Sequence, residues 1–154
     1  MPDDLIALAR ERDLLDSPVV RQAIVRTFVG HAVQTLLGHR IAAAMRDGRM
    51  PGHAGSIIRC GVTANAQRTS NLRTSLAGMN GIAWDASDVL AAGRARDFIE
   101  DRALSIRGGT TEIQRNAIGE RVLGLPREPA VDVDIPFRDV RKNVVPPRGG
   151  NGQR

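Results

Sequence analysis

The chain has 154 residues and a mass of 16.6 kDa, which suits one domain with one sizeable hydrophobic core. Hydrophobic residues make up 42% and charged residues 25%, so wholesale disorder is not expected, and no apolar run is long enough for a membrane span. Acidic residues at the N-terminus argue against a signal peptide, and a single cysteine, Cys60, excludes an internal disulfide framework. These features predict a cytoplasmic protein.

The charge balance argues against a nucleic-acid partner. A net charge of +5 and a pI near 11 would suit a nucleic-acid binder. However, the 22 basic residues are almost all arginine and are interleaved with 17 acidic residues. Three phenylalanines, one tryptophan and no tyrosine leave few rings that could stack on bases. We therefore expect a solvated surface of mixed sign.

The first half of the chain has the spacing of helices. A short helix is predicted over residues 3–13. Ser17 and Pro18, a good N-cap and a tolerated first-turn proline, then predict the start of a long helix that runs to Arg46. Apolar residues recur every four positions along it and make it amphipathic: Val25, Val29, Val33, Leu37, Ile41 and Met45.

Glycine-rich breaks divide the second half. Further helices are predicted over about 54–76, 89–104 and 111–123, the last with a capping box that begins at Thr111. No alternating strand pattern of useful length occurs. The sequence thus predicts an all-α fold, an antiparallel four-helix bundle over residues 1–126. Residues 127–154 are predicted to form an extended tail, rich in proline, glycine and arginine, that ends in disorder.

Conventional catalytic and metal-binding patterns are absent from the sequence. His31 and His39 are eight positions apart, whereas a metal pair on a helix prefers four, so we expect no metal site. Cys60 follows two isoleucines within a predicted helix, which favours a small buried side chain over a nucleophile.

The most informative stretch is RGGTTEIQRN, residues 107–116. Its two glycines allow a ligand or another backbone segment to approach closely. They lead directly into a helix N-terminus, where free N–H groups and the helix dipole favour an anion or a hydrogen-bond acceptor. A plain glycine-rich connector between two helices explains the same residues without a ligand.

Residues 106–129, IRGGTTEIQRNAIGERVLGLPREP, resemble the C-terminal signature of the acyl-CoA dehydrogenase family. The resemblance covers roughly residues 3–129, and the order of predicted elements agrees with it. It implies the C-terminal domain, or a truncated subunit, of an enzyme that uses FAD to dehydrogenate an acyl-CoA thioester. In the assembled enzyme such a domain contributes FAD contacts and an interface of a homo- or hetero-oligomer.

The resemblance also implies cofactor-binding residues. Thr110 and Glu112 match positions that contact the adenine end of FAD. Gly78 and Gly81 match glycines of a loop that approaches the flavin nucleotide of a neighbouring subunit, and Arg12 resembles a contact to the FAD pyrophosphate. Together the implied cofactor residues are Arg12, Gly78, Gly81, Thr110 and Glu112.

One departure from the family concerns the catalytic base. Many members carry a glutamate just before the Gly-Thr of the signature, where this chain has Gly108. We therefore assign no catalytic residue and leave open whether the chain is itself an enzyme. The alternative is a non-catalytic helical assembly module that kept the association surface of the family and lost its chemistry.

Overall fold

The computed structural model describes residues 2–49, 52–127 and 135–140. These residues form five α-helices and two short 3-10 helices, with no strand among them, which confirms the all-α prediction. The α-helices are α1 (Pro2–Glu11), α2 (Pro18–Arg46), α3 (Ala54–Ala77), α4 (Val89–Ala103) and α5 (Thr111–Arg121). Most of the predicted tail, including its predicted disordered end, lies outside the described residues.

Local sequence signals set the helix ends close to their predicted positions. Ser17 has the extended backbone of an N-cap, and Pro18 is the first residue of α2. Gly48, with a φ of +65°, follows the end of α2, and Gly78, with a φ of +60°, follows the end of α3. Because a side chain is strained at such angles, glycine terminates these helices at little cost.

The central element is α3, which packs against each of the other four helices. α4 lies along its C-terminal half, where Arg73 bonds to Asp97, whereas the end of α5 meets its N-terminus, where Arg121 bonds to His53. In the part of the chain that the structure describes, no close packing joins α2 to α4 or to α5. Closure into a compact four-helix bundle therefore stays a prediction.

A small apolar core occupies the end of the molecule where α1 meets α2 and α3. It is formed by Leu5, Leu8, Ala9, Ile24, Leu76 and Ala77. Leu5 is completely buried. Burial of a leucine side chain contributes about 1.5–3 kcal/mol, so these few residues hold α1 in place.

Beyond this core, the surface between α2 and α3 is polar. Thr27, Asn65 and Thr69 are buried there. The hydroxyl of Thr69 donates to a carbonyl of its own helix, so His31 Nε2 must donate the 2.9 Å hydrogen bond that joins these two side chains. Two more bonds cross the seam, from Asn65 Nδ2 to Gly30 O at 2.9 Å and from Gln34 Nε2 to Ile58 O at 3.1 Å.

Many of the apolar residues of α2 point away from this seam. Five of them are between 50% and 67% exposed: Val25, Phe28, Val29, Val33 and Leu36. Of the residues in the predicted stripe, only Ile41 is buried. A repeat of four residues advances about 40° around the helix at each step, so Val25 and Ile41 lie on nearly opposite faces.

Candidate functional site

The loop between α4 and α5 has the geometry that its glycines allow. Gly108 and Gly109 have φ values of +72° and +96°, in the region that favours glycine. Thr110 then caps α5, because its Oγ1 accepts a 3.3 Å hydrogen bond from the backbone N–H of Ile113. The sequence predicted the cap at Thr111, whereas the structure has it one residue earlier, at Thr110.

Side chains from α3 and α5 bind carbonyl oxygens of this loop. Arg59 Nη2 donates to Leu104 O at 2.6 Å and also to Arg107 O. Gln114 Nε2 donates to Gly108 O at 3.0 Å. Sequence reasoning missed Arg59, because nothing in the local pattern of α3 links it to a loop 45 residues further along the chain.

The amide groups of the loop are differently placed. No described residue accepts a hydrogen bond from the backbone N–H of Gly108, Gly109 or Glu112. The Glu112 side chain is exposed, and no described residue pairs with it. The loop therefore offers free donors and one free carboxylate at the N-terminus of α5.

A second group of predicted residues lies at the other end of α3. Gly78 ends the helix with its positive φ, and Gly81 closes a 3-10 turn. A Cβ atom at Gly81 would lie 2.6 Å from the carbonyl oxygen of Thr74, so this turn requires glycine whether or not a ligand binds. Arg12 is exposed immediately after α1, which packs at the same end.

The predicted cofactor residues thus form two groups and not one cluster. From Arg59, which contacts the first group, to Gly78, α3 rises about 28 Å. Thr110 and Glu112 therefore lie far from Gly78 and Gly81 within one chain.

Neither a metal cluster nor a membrane helix is found in the residues that the structure describes. No group of three or more histidine, cysteine or acidic side chains there could hold a metal ion. None of the described helices is both long enough and apolar enough to cross a bilayer.

Comparison with known families gives a match over most of the chain. Residues 3–123 match the family described as "Acyl-CoA dehydrogenase, C-terminal domain", which is most of the chain. The chain belongs to the acyl-CoA dehydrogenase family. The matched residues include all of the five helices except Pro2, the first residue of α1, together with both predicted glycine turns.

Two mycobacterial proteins are similar in sequence to most of the chain. The chain is 32% identical over 126 residues to "Acyl-CoA dehydrogenase IpdE1" of Mycolicibacterium smegmatis and 30% identical over 132 residues to the protein of that name from Mycobacterium tuberculosis. Both matches cover 81% of this chain. The chain spans 30% of the length of the first relative and 31% of the second.

Solved structures share the fold. The chain matches "Tcur3481-Tcur3483 steroid ACAD" with a TM-score of 0.72 and 23% identity, and a G363A variant of that protein with a TM-score of 0.71. Each match covers 82% of this chain and 34% of the other. At this level of identity the match establishes a common helical arrangement.

The space around Gly108 can be described from the backbone geometry. A Cβ atom built at Gly108 would meet a single neighbour within 4 Å, Arg59 Nε at 3.9 Å. The position where many members of the family carry a glutamate is therefore open and lies beside a guanidinium group.

Proposed function

We propose that these residues supply the C-terminal helical domain of an FAD-dependent acyl-CoA dehydrogenase, which dehydrogenates an acyl-CoA thioester. Membership of the family supports the class of reaction. Because the chain spans about a third of its relatives' length, it supplies one part of such an enzyme. In the assembled enzyme, Thr110 and Glu112 would hold the adenine end of FAD, and the bound cofactor would supply the hydride-accepting chemistry.

The observation that carries the proposal is the α4–α5 loop, in which side chains bind the carbonyls of Leu104, Arg107 and Gly108 while the N–H groups of Gly108, Gly109 and Glu112 are free. Free N–H groups suit the ring nitrogens of adenine, which accept hydrogen bonds. The free carboxylate of Glu112 suits an exocyclic amino group, which donates them. The residues present therefore fit the adenine end of FAD, with Thr110 and Glu112 as its contacts.

The distance between the two groups of residues supports an oligomer. Gly78, Gly81 and Arg12 lie at the end of α3 remote from Thr110. One chain would then contact one flavin through the α5 loop and the flavin of a neighbouring subunit through the other group.

The exposed apolar face of α2 is the proposed interface. Val25, Phe28, Val29, Val33 and Leu36 form an apolar strip, and contiguous strips of this kind mark association surfaces. α2 carries four arginines and no acidic residue. A partner helix with carboxylates beside its apolar residues would therefore complement it in charge.

A second candidate is the non-catalytic assembly module. Gly108 at the base position favours it, since this loop carries no side chain there that could remove a proton. We assign no catalytic residue to this chain under either proposal.

Flavin content tests the first proposal. The chain, assembled with the remaining domains, is expected to be yellow, and Glu112→Ala is expected to weaken FAD binding about tenfold through loss of a charged hydrogen bond. Thr110→Ala also removes the helix cap, so Thr110→Ser, which keeps the hydroxyl, serves as its control. Unchanged flavin content in Glu112→Ala and Thr110→Ala would refute the assignment. A colourless assembly that still forms oligomers would favour the module.

A further inference from the structure

We infer that Arg59 is the positioning residue of the α4–α5 loop. By holding carbonyl oxygens of the loop, it helps to turn the free N–H groups of Gly108 and Gly109 toward a ligand. The inference concerns a side chain of α3 that lies outside the family signature. Its consequence for FAD rests on the proposed function, whereas its effect on the loop does not.

The geometry of the guanidinium group carries the inference. One nitrogen, Nη2, binds the carbonyl oxygens of Leu104 and Arg107, and the other, Nη1, lies 3.4 Å from Thr63 Oγ1. Leu104 is the C-cap of α4, and Arg107 immediately precedes the two glycines. The half-buried side chain of Arg59 thus joins the end of α4 to the start of the glycine turn.

The loop depends on such a contact, because it has little stiffness of its own. Gly108 and Gly109 are adjacent, and glycine has the widest backbone freedom of any residue. A peptide unit can turn its carbonyl or its N–H to a given side, but not both. Because Arg59 holds the Arg107 carbonyl and Gln114 holds the Gly108 carbonyl, the N–H groups of Gly108 and Gly109 face away from these side chains.

The bond between Thr111 N and Ser105 O closes the loop at 3.0 Å and provides a local reporter. If Arg59 is removed, the segment between these residues gains freedom and this bond opens more often. Hydrogen exchange at the Thr111 amide measures that opening directly.

The experiment compares hydrogen exchange in the full chain for Arg59→Ala, Arg59→Lys and the control Arg68→Ala. Arg68 is also on α3, but its side chain donates to Asn65 Oδ1 in the same helix. We expect Arg59→Ala to raise the exchange rate of Thr111 about tenfold or more, since two charge-assisted bonds are lost. Arg59→Lys keeps the charge without the fork of donors, so its rise is expected to be smaller and equally local.

An unchanged Thr111 rate in both Arg59 variants, or an equal rise in Arg68→Ala, would overturn the inference. If Arg59→Ala does not fold, the Thr111 exchange rate in Arg59→Lys alone tests the inference. In the assembled enzyme, Arg59→Lys is expected to weaken FAD binding, while the midpoint of thermal unfolding of the flavin-free chain is unchanged. Local loosening in an assembly whose wild type binds no FAD would leave the role of Arg59 intact and refute the proposed function instead.

Discussion

The two ends of the α2–α3 pair are held together in different ways. Near α1, leucine, isoleucine and alanine side chains form a small apolar core. Further along, Asn65 and His31 join the helices by hydrogen bonds, and the valines of α2 face outward. Packing at the first end is complete within one chain. At the second end, the apolar surface of α2 is exposed in the single chain, and it is the surface that we propose for association.

The largest expected effect is the loss of core packing at the α1 end. Leu5→Ala leaves a cavity in a site with no solvent exposure, so we expect it to lower the free energy of unfolding by about 3 kcal/mol. Val29→Ala on the outer face of α2 is the matched control, with an expected change within about 0.5 kcal/mol for the single chain. Urea titration followed by circular dichroism measures both. Similar losses in the two variants would remove the contrast between the two regions.

The next effect concerns association through α2. Val29→Glu places a charge in the centre of the exposed apolar strip, so we expect it to weaken subunit association about a hundredfold while helicity is unchanged. Sedimentation equilibrium reports the change. The exposed Glu11→Gln on α1 serves as a control for altered charge. Association that survives Val29→Glu would place the interface elsewhere.

The polar seam is expected to tolerate truncation poorly. Asn65→Ala leaves Gly30 O and the Arg68 guanidinium without their partner, which we expect to cost about 2 kcal/mol of unfolding free energy. Asn116→Ala, at an exposed position on α5, is the control and should change stability little. Thermal unfolding measures both variants. Equal stability of Asn65→Ala and Asn116→Ala would mean that the hydrogen bonds of Asn65 do not stabilise the fold.

Two glycines in different backbone settings are expected to respond in opposite directions. Gly81→Ala forces a methyl group against the Thr74 carbonyl and is expected to destabilise the chain by about 1.5 kcal/mol. Gly93→Ala, within α4, meets no atom within 4 Å and is expected to stabilise it by about 1 kcal/mol through helix propensity. Equal effects measured by denaturant titration would contradict the turn geometry.

The smallest effect is a pH dependence in the loop before α4. The Ser87 hydroxyl and backbone N–H donate to Asp85 and hold its pKa below the ordinary value of 3.8. The loop is therefore stabilised above that value, and the stabilisation is lost as pH falls through the lowered pKa. We expect Ser87→Ala to raise the pKa of Asp85 in an NMR titration, with Ser75→Ala as control. Identical titration curves for Ser87→Ala and the wild type would contradict this.

The α4–α5 loop shows which parts of the candidate site could be predicted from the sequence. The glycines and the helix start at 108–112 were predictable, because local backbone preferences determine them. The residue that holds the loop was not, since Arg59 is separated from Leu104 by 45 positions and no local pattern connects them. Only packing of α3 beside the end of α4 brings that guanidinium to the two carbonyls.

The sequence by itself determined the helices, their ends and the family, because capping residues, glycine breaks and the signature after residue 106 act locally. Tertiary structure alone decided which face of α2 is inward. An apolar repeat of four residues advances about 40° around the helix at each step and cannot remain on one face. The rotation of α2 about its axis is therefore set by the polar side chains that form hydrogen bonds between α2 and α3. The outward valines followed from that choice, and with them the surface proposed for a partner.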